Sequence, residues 1–308
     1  MPANFLLEQA QIRLLKDLEP IGLGAFADAI ARSAKSAACF RPVLRQDFDI
    51  PVGASKLGGA PDLPPDFAWP TRRNSERKYQ HGVAWRDQEV ADQRPGADIQ
   101  LSFIAQLDLA SIPVEWIDFD LPRHGLLSFF YDAEHQPWGF DPIHKGGWQL
   151  FWIDATSDKL VRSAEQDPEL SFTAAELEPQ LFLTVAESLP RTLPLTDEQA
   201  MALFDFIGSR VAPGVQVGGH PMVIQNAMEE ECEIVSRGYY AGNPEGYQEA
   251  RNAGIGTSTQ DWRLVLQVSS IEIANMLWGD GGNLYAWMRR SDIEQRRFEN
   301  AWTILQCT

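Results

Sequence analysis

Cysteine is scarce in this chain: three residues in 308, Cys39, Cys232 and Cys307, an odd number set far apart. They make no Cys-x-x-Cys pair and no disulfide framework, so three reduced thiols are expected rather than a thiolate metal site. Histidine is nearly as rare, at five residues. None of His81, His124, His135, His144 and His220 stands four from another, the spacing that puts two ligands on one helix face. His135 and His144 flank Trp138, Asp141 and Lys145, but surface or turn positions are expected for them, and no metal. No apolar run reaches the roughly 18 residues of a membrane-span candidate. Met1 to Glu8 lack the basic stretch and apolar core of a secretory leader, so a cytoplasmic location is expected. Positive charge is in deficit, 26 Lys and Arg against 43 Asp and Glu, a formal charge of -17. A field of that sign repels nucleic acid and anionic lipid, so neither is expected as a direct partner.

What is present describes a folded protein. Hydrophobic residues make up 44% of the chain and Trp occurs ten times, which excludes a disordered polymer. The acidity is concentrated. Residues 101–250 carry 24 acidic and seven basic side chains, a difference of 17 that equals the whole net charge. The remaining segments balance.

Leu6, Leu7, Ile12, Leu14, Leu15 and Leu18 recur at helical spacing, and Pro20-Ile21-Gly22 interrupts them. A second helix is expected over Ala25 to Ala38. Gly- and Pro-rich punctuation then argues against helix for a long stretch. Leu101–Leu107, Gly125–Tyr131 and Trp148–Ile153 are short apolar and aromatic runs bounded by turn residues, as is Leu181–Val185, and each predicts a strand. Thr196-Asp197-Glu198-Gln199 is a capping box that predicts a helix over Asp197–Ser209, burying Ala200, Leu203, Phe204 and Ile207.

Three markers recur in order. Gly58-Gly59-Ala60-Pro61 matches Gly218-Gly219-His220-Pro221, the strand containing Gln106 matches the one containing Gln267, and Gly125 opens a run like that after Gly282. Gly59 to Gln106 is 47 positions and Gly219 to Gln267 is 48. The spacing predicts an internal duplication with a groove between two related halves. Gly58, Gly59, Pro61, Gly218, Gly219 and Pro221 are read as architectural turns, since no phosphate-loop Lys-Ser/Thr follows them. The expected organisation is an N-terminal helical segment over 1–45, a first half over 46–195 and a second over 196–308, in one compact unit. The expected fold class is α+β with mainly antiparallel sheet.

The stretch Ser55-Lys56-Leu57-Gly58-Gly59-Ala60-Pro61-Asp62-Leu63-Pro64, with Trp69-Pro70, Phe103–Leu109, Gly125–Phe130, Gly218–Pro221 and Gly282–Trp287, resembles the YwqG-like family of uncharacterised bacterial proteins. The resemblance covers residues 40–308, with the charged stretch 72–97 as an atypical insertion. It implies an α+β fold with an internal duplication and no established activity. Some similar proteins look like immunity partners in bacterial toxin systems.

Catalytic motifs are not found. Gly22-Leu23-Gly24-Ala25-Phe26-Ala27 imitates a dinucleotide fingerprint but follows a helical pattern instead of a strand, so no cofactor is expected. Cys232 lies among Glu229, Glu230, Glu231 and Glu233, whose charge blunts a thiolate. The expected function is therefore non-catalytic: an immunity-type inhibitor that neutralises a basic toxin, such as a nuclease, through an acidic face. Glu229, Glu230, Glu231 and Glu233 are the leading contributors, with Tyr239 and Tyr240 as anchors and Glu115, Trp116, Asp118 and Asp120 as a second cluster. The alternative is an enzyme or small-molecule binder using the groove between the halves.

Overall fold

The computed structural model describes residues 3–73, 98–163, 170–210, 214–255 and 259–308. Residues 74–97 of the expected insertion, with His81, lie outside them. The helices are α1 (Ala3–Leu18), α2 (Ala27–Ser33), α3 (Asp197–Ser209), α4 (Glu229–Ser236), α5 (Pro244–Asn252) and α6 (Arg290–Glu294). The first strands are β1 (Lys35–Leu44), β2 (Lys56–Leu57), β3 (Asp62–Leu63), β4 (Thr71–Arg73), β5 (Asp98–Gln100), β6 (Ser102–Asp108) and β7 (Leu126–Tyr131). Then follow β8 (Trp148–Ile153), β9 (Val161–Arg162), β10 (Ala175–Thr184), β11 (Val215–Gly218), β12 (Trp262–Ser269), β13 (Asn283–Arg289) and β14 (Trp302–Gln306).

Ten strands form one sheet in the order β14-β13-β12-β11-β1-β10-β2-β6-β7-β8. Every pairing in it is antiparallel. At its centre β1 and β10 pair along their full length, from Lys35 opposite Thr184 to Leu44 opposite Ala175. On one flank Lys56 faces Gln106, and on the other Gln216 faces Gln267. Two residues before each Gln the ladder slips by one residue, at Ile104 in β6 and at Val265 in β12. Such bulges bend a strand and increase its twist. The sheet curls until its outermost strands meet: the rings of Trp148 and Trp302 lie 5.1 Å apart, and Trp148 Nε1 donates to Ala301 O at 2.9 Å. Main-chain Leu305 N donates to Trp138 O at 3.0 Å, so the 137–140 segment covers the β14 edge.

The curled sheet encloses the main core, in which Phe40, Phe129, Trp148, Leu177, Val217, Tyr285 and Trp302 are buried. Burying each such side chain is worth about 1.5–3 kcal/mol relative to exposure. A second core sits outside the sheet, where Leu14 and Leu18 of α1, Ile30 of α2 and Leu203 of α3 cover Leu183 and Val185.

Two expectations are corrected. Residues 35–44 form the strand β1, whereas a helix to Ala38 and a helical segment to 45 were expected. The alanines there suit helix locally, but Ala37 is wedged under the Gly219 turn, where a Cβ on Gly219 would lie 2.8 Å from that of Ala37. Small side chains serve a close approach in the sheet, and tertiary context overrides propensity. In α3 the limits and capping box are as expected, and both box hydrogen bonds form. Phe204, however, is 37% exposed, while Phe206 packs against the second core.

Candidate functional site

The densest polar constellation lies beneath the first Gly-Gly turn. Lys56 enters from β2 and is fully buried. Its Nζ donates to Asp47 Oδ1 at 2.6 Å and to Ala60 O. Asp47 Oδ2 accepts from Ala60 N at 3.2 Å, closing the turn. Gly58 and Gly59 hold φ of 53° and 63°, and a Cβ on Gly59 would lie 2.4 Å from Asp47 Oδ1. Both features require glycine. Asp62, equally buried, accepts from Arg162 Nε at 2.6 Å, Gln106 Nε2 at 2.7 Å and Gly53 N at 2.8 Å. Gln106 Oε1 in turn accepts from Asp62 N at 2.8 Å. Burial pulls the Lys56 ammonium below its ordinary pKa, with Asp47 restoring part of the loss. Burial alone would raise the Asp62 carboxyl, but Arg162, Gly53 N–H and Gln106 outweigh it and hold the group below its usual range. Two cations meet two carboxylates, so the cage is neutral and engaged in hydrogen bonds. It offers no free base or nucleophile, and its work is to clamp the turn.

The second turn has the same wiring in neutral groups. Gln216 Nε2 donates to Gly218 O and His220 O, each at 2.8 Å. His220 N donates to Thr184 Oγ1 at 2.7 Å, and Gln267 Oε1 accepts from Met222 N at 3.0 Å. Gly218 and Gly219 both hold φ of 72°.

The acidic run is not a solvent face. Glu231, Cys232 and Glu233 point inward from α4 and are buried. Glu233 Oε2 accepts from Arg289 at 2.6 Å and from Trp262 Nε1 at 3.1 Å, while Oε1 takes Arg237 at 3.3 Å. Glu230 accepts from Arg251 at 2.7 Å. Burial lifts Glu231 to about 7. The buried carboxylates therefore cannot form the accessible cluster expected of them; only Glu229 and Glu230 reach partly to solvent. Tyr239 and Tyr240 are half-buried, Tyr239 against the main core and Tyr240 edge-on to Phe140 at 5.8 Å. In the second cluster Trp116 is buried. Glu115, Asp118 and Asp120 are exposed, but Asp118 sits 3.9 Å from Lys35, and Asp120 is paired with Arg123 at 3.3 Å and Arg296 at 3.1 Å.

His135 and His144 sit in turns, as one half of the expectation had it, but both are buried rather than at the surface. His135 Nδ1 lies 2.9 Å from Asp132 Oδ1, and Arg72 Nε donates to the other oxygen of Asp132. Burial depresses His144 to about 4, with the Arg72 charge acting in the same direction. Among the described residues no three His, Cys, Asp or Glu side chains are grouped to hold a metal ion. All three cysteines are free and buried, and burial raises the Cys39 and Cys232 thiols.

Sequence reasoning missed Asp47, Arg162 and Arg72. Asp47 and Arg162 lie on opposite sides of the first half in sequence, so no local spacing links them. Asp132-x-x-His135 was the one visible signal, because three-residue separation in a turn brings side chains together.

A curled, all-antiparallel sheet with a helical flank, closed by two Gly-Gly turns, defines an α+β protein built around clamped turns. Residues 55–307 match the model of the domain of unknown function DUF1963, and the chain belongs to that family. No curated protein matches it.

Proposed function

We propose that the protein binds and neutralises a basic protein without catalysing a reaction, as an immunity-type inhibitor of a bacterial toxin such as a nuclease. The observation that carries this reading is the outer face of α3. Asp197, Glu198 and Asp205 are exposed there and have no ion-pair partner among the described residues. Met201, 63% exposed, lies among them in the helix. Unpaired carboxylates around an apolar side chain suit a basic surface with an apolar contact at its centre. The helix belongs to the segment that carries the entire net charge, whose field speeds encounter with a cation-rich partner.

The test is affinity capture from the native cell at low salt, comparing wild type with the pair Glu198→Lys and Asp205→Lys. A basic protein retained by wild type, lost from the variant and released by salt supports the reading. Capture that ignores both the reversal and the salt counts against it. Co-expression of the captured protein then reports neutralisation directly.

Three finer readings belong to the same proposal: a place among the YwqG-like proteins, a cytoplasmic location, and descent by internal duplication. No helix among the described residues is long and apolar enough to cross a membrane, which is compatible with the second. The third is supported by the matched Gly-Gly turns, the matched glutamines and the paired bulges.

A further inference from the structure

On a chain of charge -17, one groove is lined by cations. It runs between α1 and β10, encloses ≈1160 Å³, and draws its wall from Leu6 to Asp17. Eleven residues of rise make that wall about 17 Å long. Trp116, Leu181 and Phe182 line it with apolar surface, and Ile12, 37% exposed, adds to the wall.

Three cations line this groove: Arg13, Lys16 and Arg210. Arg13 and Lys16 are exposed and have no ion-pair partner among the described residues. Arg210 lies between two rings, its guanidinium carbon 5.4 Å from the Phe182 centroid and 5.2 Å from that of Phe206. Its Nε is buried and makes no hydrogen bond, and its one carboxylate among the described residues, Asp17, is 3.4 Å away and 43% exposed. Burial lowers the Arg210 pKa, Asp17 opposes that, and the nearby Arg13 charge acts with burial. Like charges gathered with too little neutralisation are unfavourable unless an anion joins them.

We propose that this groove docks an acidic, amphipathic helical segment of a partner protein, its apolar side on Trp116, Leu181 and Ile12 and its carboxylates on Arg13, Lys16 and Arg210. The length decides for a segment of chain over a small metabolite: 17 Å is about eleven residues of helix. Pro179 decides against an added strand. It has no N–H, so a ladder on β10 would be interrupted where the groove runs. Charge complementarity decides the sign, since a basic segment would meet three cations against one carboxylate. This surface is separate from the α3 face of the preceding proposal and does not rest on it.

The test uses two fluorescently labelled helical peptides identical in their leucines, one with glutamate and one with lysine at every polar position. Anisotropy titrations at low and high salt report binding. The glutamate peptide is expected to bind, and to weaken at least tenfold on adding salt or on Arg13→Glu with Lys16→Glu. Both changes lie on the exposed side of α1, and circular dichroism and thermal unfolding check that the fold persists. Arg210→Gln is a second variant with the same expected direction. Glu198→Lys with Asp205→Lys, made for the other face, should not weaken peptide binding. No binding of the glutamate peptide by wild type, equal binding of the lysine peptide, or indifference to both groove variants overturns the proposal.

Discussion

Replacing Glu231 by Gln should stabilise the protein increasingly as pH rises from about 4.5 to 7, and fully above that. The side chain lies in the first turn of α4, 9% exposed, and its carboxylate makes no hydrogen bond or ion pair among the described residues. Burial raises it from an ordinary 4.5 to about 7. Below 4.5 the group is protonated in both folded and unfolded chains and costs nothing. Between 4.5 and 7 the unfolded chain ionises first, so stability falls as pH rises. Above 7 the loss is complete. At 1.36 kcal/mol per pH unit the full loss is about 3 kcal/mol, an order-of-magnitude figure. The helix N-terminus favours a carboxylate by about 0.3–1 kcal/mol, and Gln forgoes that benefit, which brings the expected gain nearer 2 kcal/mol. Glu231→Gln should then match wild type near pH 4.5 and exceed it by about 2–3 kcal/mol at pH 8. Urea unfolding midpoints of both proteins at pH 5, 6, 7 and 8 measure the difference. Taking it at each pH cancels other titrating groups, such as Glu187, which burial also raises. A difference that does not change between pH 5 and 8 would falsify the reasoning.

The two clamped turns invite an exchange of parts. Lys56→Gln alone leaves Asp47 without its buried partner and should cost about 3–5 kcal/mol. Adding Asp47→Thr restores neutrality and copies the Gln216 and Thr184 arrangement, so most of that loss should return; a double mutant no more stable than the single would sink the equivalence. Gly59→Ala and Gly219→Ala, each forced into positive φ with a Cβ under 3 Å from its neighbours, should each destabilise by about 2–4 kcal/mol in chemical denaturation. Thr196→Ala removes the α3 capping box and should cost about 1 kcal/mol, with an effect below a few tenths telling against the cap. Glu233→Gln leaves Arg289 and Arg237 without their carboxylate and should lower the thermal midpoint by several degrees, whereas Glu229→Gln should leave it nearly unchanged.

Much of this architecture was legible because its causes are local. The α3 limits follow from Thr196 and Gln199, three residues apart. The aromatic runs became β7 and β8, since a short apolar stretch between turns has few other places to go. The glycines at 58, 59, 218 and 219 could be read as turns because positive φ depends on the absence of one residue's own Cβ.

What lay beyond the sequence was the choice of partner across long separations. Residues 25–38 are alanine-rich and suit one continuous helix, but from Lys35 onward the chain pairs with β10 and β11 instead. The four glutamates from 229 to 233 are alike as text, but the helix turns Glu231 and Glu233 toward the interior, and Arg289, 56 positions from Glu233, arrives from the strand β13. Nothing local to Lys56 says that it is buried; Asp47, nine positions away, and Arg162, more than a hundred away, enclose it. Arg13 and Arg210 became one groove only when α1 and the end of α3 were laid against the same strand. Backbone geometry and capping are decided within a few bonds, so the sequence by itself determined the turns, the caps and many of the strands. Burial and charge pairing depend on which distant segments share a volume, and only the tertiary structure decided that.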